Sequence, residues 1–199
     1  MKSSIIFSIT FVVISSIIVS QFFQPENEIS TYIENSVPYV GTEIPRTDGL
    51  DGSGVKVAVI DTGVDFNHPD LLGWGPDGKV IGGYNFIQTN QLPMDKNGHG
   101  TKVAGIIAAD GSILGIAPKA KILAYKVSED GEGVSSELIS GAIEKAIEDE
   151  ADIINISLGV NRTNSKIDSA VNYALEKGIF VVTAAGNDGP ELKTIGSPG

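Results

Sequence analysis

The stretch Val57-Ala-Val-Ile-Asp61-Thr-Gly63 decides the fold. Four apolar residues in succession read as a strand covered on both faces. Asp61 closes the run, and Gly63 lets the chain turn sharply away from it. A carboxylate at the end of a buried strand is costly unless it is paired or hydrogen-bonded. Asp61 therefore reads either as a structural turn residue or as part of a site. Outward from this strand, apolar runs alternate with helical patterns. Residues 80–86, 122–127, 152–158 and 179–184 read as further strands, with the first strand at 55–60. Residues 99–109 form a helical pattern rich in small side chains. Leu138, Ile139, Ala142, Ile143, Ala146 and Ile147 recur at helical spacing within 135–150. Ile167, Ala170, Val171, Ala174 and Leu175 mark one more helix, with Gly178 as its stop. The alternation predicts an α/β domain: a three-layer, mostly parallel sheet with helices on both faces. The run 179–182 is as continuously apolar as 57–60, so both of its faces are also expected to be covered. Sites in such sheets lie at the carboxyl ends of strands, where Asp61, Ser157 to Gly159 and Ala184 to Asn187 fall.

Size and composition bound the rest. With 199 residues and 41% hydrophobic content, the chain has enough for one packed core. A net charge of −11 argues against a nucleic-acid partner, which selects for basic patches. The absence of cysteine excludes disulfides, thiol catalysis and cysteine-based zinc sites. Residues 1–24 are a different kind of sequence, with Lys2 their one charge. They read as a signal peptide or as a membrane anchor through residues 4–23, since about 20 apolar residues just cross a bilayer core. Either reading places the rest of the chain outside the cytoplasm, free or anchored facing outward. Residues 25–36 read as a linker, and 48–54 (Asp-Gly-Leu-Asp-Gly-Ser-Gly) as turns leading into the first strand.

The chemistry gathers at a second stretch, Asn97-Gly-His99-Gly-Thr-Lys-Val-Ala-Gly105. His99 opens a helix, where the positive end of the dipole disfavours its protonated form and suits a general base. A capping or core histidine is the plainer reading. Metal binding is disfavoured, because His68 is the one other histidine and no His-Glu-x-x-His pattern occurs. The triplet Asp61-Thr-Gly63 also occurs in aspartic proteases, but those need a second such triplet or a symmetric dimer in an all-β fold. Asn187, in Thr183-Ala-Ala-Gly-Asn187, either serves a turn or donates its amide to a developing oxyanion. Ser157-Leu158-Gly159 ends a strand and could pair with an extended peptide. Ser157 is a poor nucleophile candidate, because no Gly-x-Ser-x-Gly elbow surrounds it.

Together these segments resemble the subtilisin-like serine proteases. The likeness runs over residues 37–199, about the front two-thirds of that family's catalytic domain. It is carried by residues 57–71 (ending Asn67-His-Pro-Asp-Leu71), 99–105, Gly115-Ile-Ala-Pro118, 155–159, 184–187 and Thr194-Ile-Gly-Ser-Pro-Gly199. The resemblance implies a serine endopeptidase acting on protein or peptide substrates. Asp61 would orient the imidazole, His99 would act as base and acid, and Asn187 would serve the oxyanion hole. Ser157, Leu158, Gly159, Ala184, Ala185 and Gly186 would line the substrate cleft.

Three departures matter. The family's nucleophile sits in a Gly-Thr-Ser segment, and this sequence contains none. The serine is thus expected in polypeptide beyond Gly199, and residues 1–199 alone are expected to be inert. A catalytically dead, peptide-binding relative is the alternative. The domain would also be incomplete, with a sheet edge open and apolar faces near Phe180 and Ile156 uncovered, hence prone to aggregate or loosely packed. Asp70 matches a family calcium ligand and is the one calcium candidate, although residues 108–114 are shorter than the family's calcium loop and its partners there are missing; no cofactor is needed for the chemistry. Lys102 stands where the family commonly has a second, non-catalytic histidine.

Overall fold

In a computed structural model, residues 48–131, 133–190 and 192–199 are described. The expectations for residues 1–24 and 25–36 lie outside these. Among the described residues no helix is long and apolar enough to cross a membrane.

Five strands form one parallel sheet: β1 (Lys56–Asp61), β2 (Val80–Asn85), β3 (Lys121–Lys126), β4 (Ile153–Ile156) and β5 (Phe180–Thr183), in the order β2-β3-β1-β4-β5. Among the described residues three α-helices connect them: α1 (His99–Ala108), α2 (Ser136–Glu148) and α3 (Ser165–Glu176). Strand alternation sorts the core into two layers. Ala58, Ile60, Tyr125, Ile154 and Ile156 face α2 and α3, where Ile139, Ile143 and Ile167 are fully buried. Val57, Val59, Ile122 and Ala124 face α1 through Ala104 and Ala108. This is the expected three-layer α/β fold with helices on both faces. The sequence features that start the helices are local. The Ser135 hydroxyl caps α2 by accepting from Leu138 N, and the Asn164 side chain caps α3 by accepting from Lys166 N and Ile167 N.

Two expectations about cover are corrected. The apolar run of β5 is not buried on both faces: Phe180 is 73% and Val182 54% exposed. The layer that α1 covers takes in residues of β1, β2 and β3 and Ile153 of β4 but none of β5, so the β5 face opposite α3 is bare. Ile156, by contrast, is fully buried, because it points to the α2–α3 layer rather than to the bare face. An apolar run in a parallel strand says that cover is required, not which element supplies it.

One glycine of β2 is fixed by sterics. Gly83 has φ +136°, and a Cβ there would overlap the Ala124 carbonyl of the adjacent strand. Gly83→Ala is expected to lower stability by at least about 2 kcal/mol, through overpacking and an unfavourable φ. Urea unfolding would measure it; a change within about 0.5 kcal/mol, the surface-substitution range, would contradict this packing.

Candidate active site

The carboxyl end of β1 is where the chemistry converges. Asp61 is the last residue of β1, still in register with β3 through Val127 N–H to the Asp61 carbonyl at 2.9 Å. Its side chain is fully buried. Oδ1 accepts from the Thr62 amide at 2.7 Å and meets His99 Nδ1 at 2.8 Å. Oδ2 is buried with no partner among the described residues. Burial pushes the Asp61 carboxyl above its ordinary value, while the hydrogen bonds from His99 and Thr62 pull it down.

The His99 side chain is 48% exposed on its other side. A neutral imidazole that donates from Nδ1 to a carboxylate leaves Nε2 as its acceptor. The base position expected from the sequence is thus available at the mouth of the cleft.

Backbone sterics allow this approach. Gly98 takes a left-handed conformation (φ 101°) as the N-cap of α1. Gly100 lies so close to β1 that a Cβ would overlap the Gly63 carbonyl and stand 3.1 Å from Asp61 Oδ1. The helix start is further tied down by Asp95, which the sequence reading missed. Its buried carboxylate accepts from the amides of Asn97, Gly98 and Thr101 at 2.9, 3.0 and 2.9 Å. An aspartate two to three residues before Asn-Gly is an Asx-turn signal that could have been read. Beneath the turn, buried Lys126 donates to the Thr62 carbonyl at 2.8 Å and pairs with Glu129 at 3.1 Å. No sequence signal marked it.

A cleft of about 610 Å³ opens beside His99. Ser157, Leu158 and Gly159, just past β4, form one wall. Ala184, Ala185, Gly186 and Asn187, just past β5, form another. All the residues expected to bind or stabilise substrate therefore border the same cleft as His99. Ser157 Oγ accepts from Asn155 Nδ2 at 2.9 Å, an ordinary strand-end contact. Residues 194–199, which border the cleft, are held in place by Ser197, a role missed from sequence. Its hydroxyl donates to Asp168 at 2.6 Å and accepts from Asn164 N at 2.7 Å, and its carbonyl accepts from Val160 N at 2.9 Å.

Asp70 lies apart from the cleft, in the 3-10 turn Pro69–Leu71. Its buried carboxylate accepts from the Ser112 hydroxyl at 2.9 Å (Oδ1) and 3.2 Å (Oδ2), and Gly111 packs against it too closely for a Cβ. Calcium takes six to eight oxygen ligands, and no cluster of three or more His, Asp or Glu suited to a metal occurs among the described residues. At Asp70 the Ser112 hydroxyl is a donor to the carboxylate, not a further oxygen ligand beside it.

The fold and this site define an α/β domain that presents a carboxylate–imidazole pair at the rim of an open cleft. The chain matches the profile described as "Subtilase family" over residues 52–199. It belongs to the subtilase family. It is 40% identical over 188 residues to the minor extracellular protease Vpr of Bacillus subtilis (strain 168), covering 87% of this chain and 23% of that protein. It is 44% identical over 146 residues to thermitase of Thermoactinomyces vulgaris, covering 71% of this chain and 50% of that protein. Among solved structures, sphericase superposes with a TM-score of 0.60 at 41% identity, over 74% of this chain and 51% of that one. The chain spans half or less of the length of each of these two curated relatives.

Proposed function

We propose that residues 48–199 are the Asp- and His-bearing part of a serine endopeptidase whose nucleophile lies outside residues 1–199. The observation that carries this reading is the 2.8 Å contact between His99 Nδ1 and the buried Asp61 carboxylate at the edge of the cleft. A protein or peptide substrate would lie extended along Ser157–Gly159 and Ala184–Gly186, pairing through its backbone. His99 Nε2 would take the proton of an incoming serine hydroxyl as its oxygen attacks the scissile carbonyl. Asp61 would stabilise the imidazolium that forms. The Asn187 amide would donate to the oxyanion of the tetrahedral intermediate. His99 would then hand the proton to the leaving amine, and a water would hydrolyse the acyl-enzyme by the same steps in reverse. Each of these steps uses a protein group or water. We read residues 1–24 as an export or anchoring segment, so the enzyme would act outside the cytoplasm, in line with a relative named as extracellular.

The coding sequence beyond codon 199 tests this reading. An in-frame Gly-Thr-Ser segment in the following polypeptide is the expected finding. A stop codon in the native gene followed by unrelated sequence would overturn it.

A further inference from the structure

We propose that Asp95 is a positioning residue for the Asp61–His99 pair and acts through the hydroxyl of Thr62. The inference rests on the peptidase reading above and deepens it. Asp95 is buried and accepts five hydrogen bonds. Oδ1 takes those of Asn97 N, Gly98 N and Thr62 Oγ1, the last at 3.0 Å. Oδ2 takes those of Thr101 N and of Thr101 Oγ1, the latter at 2.6 Å. Every partner is a donor, a set that an ionised carboxylate satisfies and a carboxamide cannot, because its NH2 would face two or three N–H or O–H groups.

Four of these bonds stay within the start of α1 and would serve any helix cap. The fifth does not. Thr62 is 33 residues away and adjoins Asp61. A hydroxyl has one proton. Once Thr62 Oγ1 gives it to Asp95, its lone pairs are left for an incoming donor, and Gly100 N–H supplies one at 3.0 Å. Thr62 N–H meanwhile holds Asp61 Oδ1 at 2.7 Å. The result is a closed ring. Asp61 bonds His99, His99 is joined to Gly100, Gly100 bonds the Thr62 hydroxyl, and Thr62 bonds Asp61. Asp95 sets the direction of the one rotatable hydroxyl in that ring. If the hydroxyl turns, the Gly100 amide loses its acceptor in a buried site, and the helix start moves relative to β1. Displacements of about 1 Å are enough to cost a catalytic contact its function.

The test is proton NMR of the full chain with 15N-labelled histidine, reading the low-field Nδ1 proton of His99 that a hydrogen bond to Asp61 produces. Wild type shows this resonance, and Asp61→Asn loses it. Asp95→Asn and Thr62→Val lose it too, while the methyl resonances of Ile139, Ile143 and Ile167 in the opposite layer stay native. Thr62→Ser, which keeps the hydroxyl, retains it. A purely structural cap would not move this proton while leaving the methyl spectrum unchanged. Should Asp95→Asn fail to fold, the Thr62→Val and Thr62→Ser pair carries the test alone. Persistence of the resonance in folded Asp95→Asn or Thr62→Val overturns the proposal, as does its loss in Thr62→Ser. Absence of the resonance from folded wild type brings down the peptidase reading itself, and so is told apart from failure of the Asp95 role.

Discussion

Asp61→Asn is expected to lower kcat of the complete enzyme by about 10⁴ while leaving the fold as stable or more so. The size of the kinetic loss is that found for the corresponding carboxylate in serine proteases, subtilisin included; the stability effect follows from the geometry here. Asp61 is fully buried, and its Oδ2 has no donor among the described residues. Burial therefore dominates and raises its pKa above the ordinary 3.8. A carboxyl whose folded pKa is raised binds its proton more tightly in the native state. Its ionisation then costs stability, beginning as pH rises past 3.8 and reaching the full cost above the raised folded value. Asparagine carries no charge and escapes that cost. The Tm difference between variant and wild type should thus favour the variant most at neutral pH and disappear in acid below 3.8. Turnover should fail in both settings: in the variant because the imidazolium has no counter-charge, and in acid wild type because Asp61 is neutral. Thermal melts across pH and steady-state hydrolysis of a chromogenic peptide check both halves. Near-normal turnover in the variant would remove Asp61 from the mechanism.

Asn187→Ala is expected to cost about 10²–10³ in kcat with KM little changed. Under the proposed mechanism the amide would meet an oxygen that becomes negative only in the transition state, so its loss would leave ground-state binding intact. The fold should not respond. Asn187 is exposed at the cleft rim after Gly186, which holds φ +90°, and exposed substitutions stay within about 0.5 kcal/mol. A rise in KM with kcat unchanged would show that Asn187 only contacts substrate.

Much of this architecture is legible because the relevant physics is local. Continuous apolar runs and period-3.6 apolar spacing place the five strands and three helices of the described residues within a few residues of their observed limits. Asp61 and His99 stand out because each sits where an element meets glycine: a buried strand end and a helix start. Other features were hidden for a single reason. Asp95, Ser197 and Lys126 act across long sequence separations, 33 residues to Thr62, 29 to Asp168 and 64 back to Thr62. No local pattern reports such pairings, although the Asx turn that Asp95 makes with Asn97 and Gly98 is itself local. The β5 face illustrates the same limit. Phe180 and Val182 look like core residues in sequence, yet whether they are covered depends on what lies over that side of the sheet. Their exposure supports the expectation that residues 1–199 alone tend to aggregate, since a bare apolar edge strand is a template for pairing.

In the proposed enzyme, Asp61 and His99 activate a serine from polypeptide outside residues 1–199. The most direct test of that activation is fluorophosphonate labelling of the complete gene product, with the modified residue mapped by mass spectrometry. One label per molecule is expected, on a serine within a Gly-Thr-Ser segment beyond residue 199, and it should be lost in His99→Ala. No label on folded full-length protein, or a label that persists without His99, would contradict that activation.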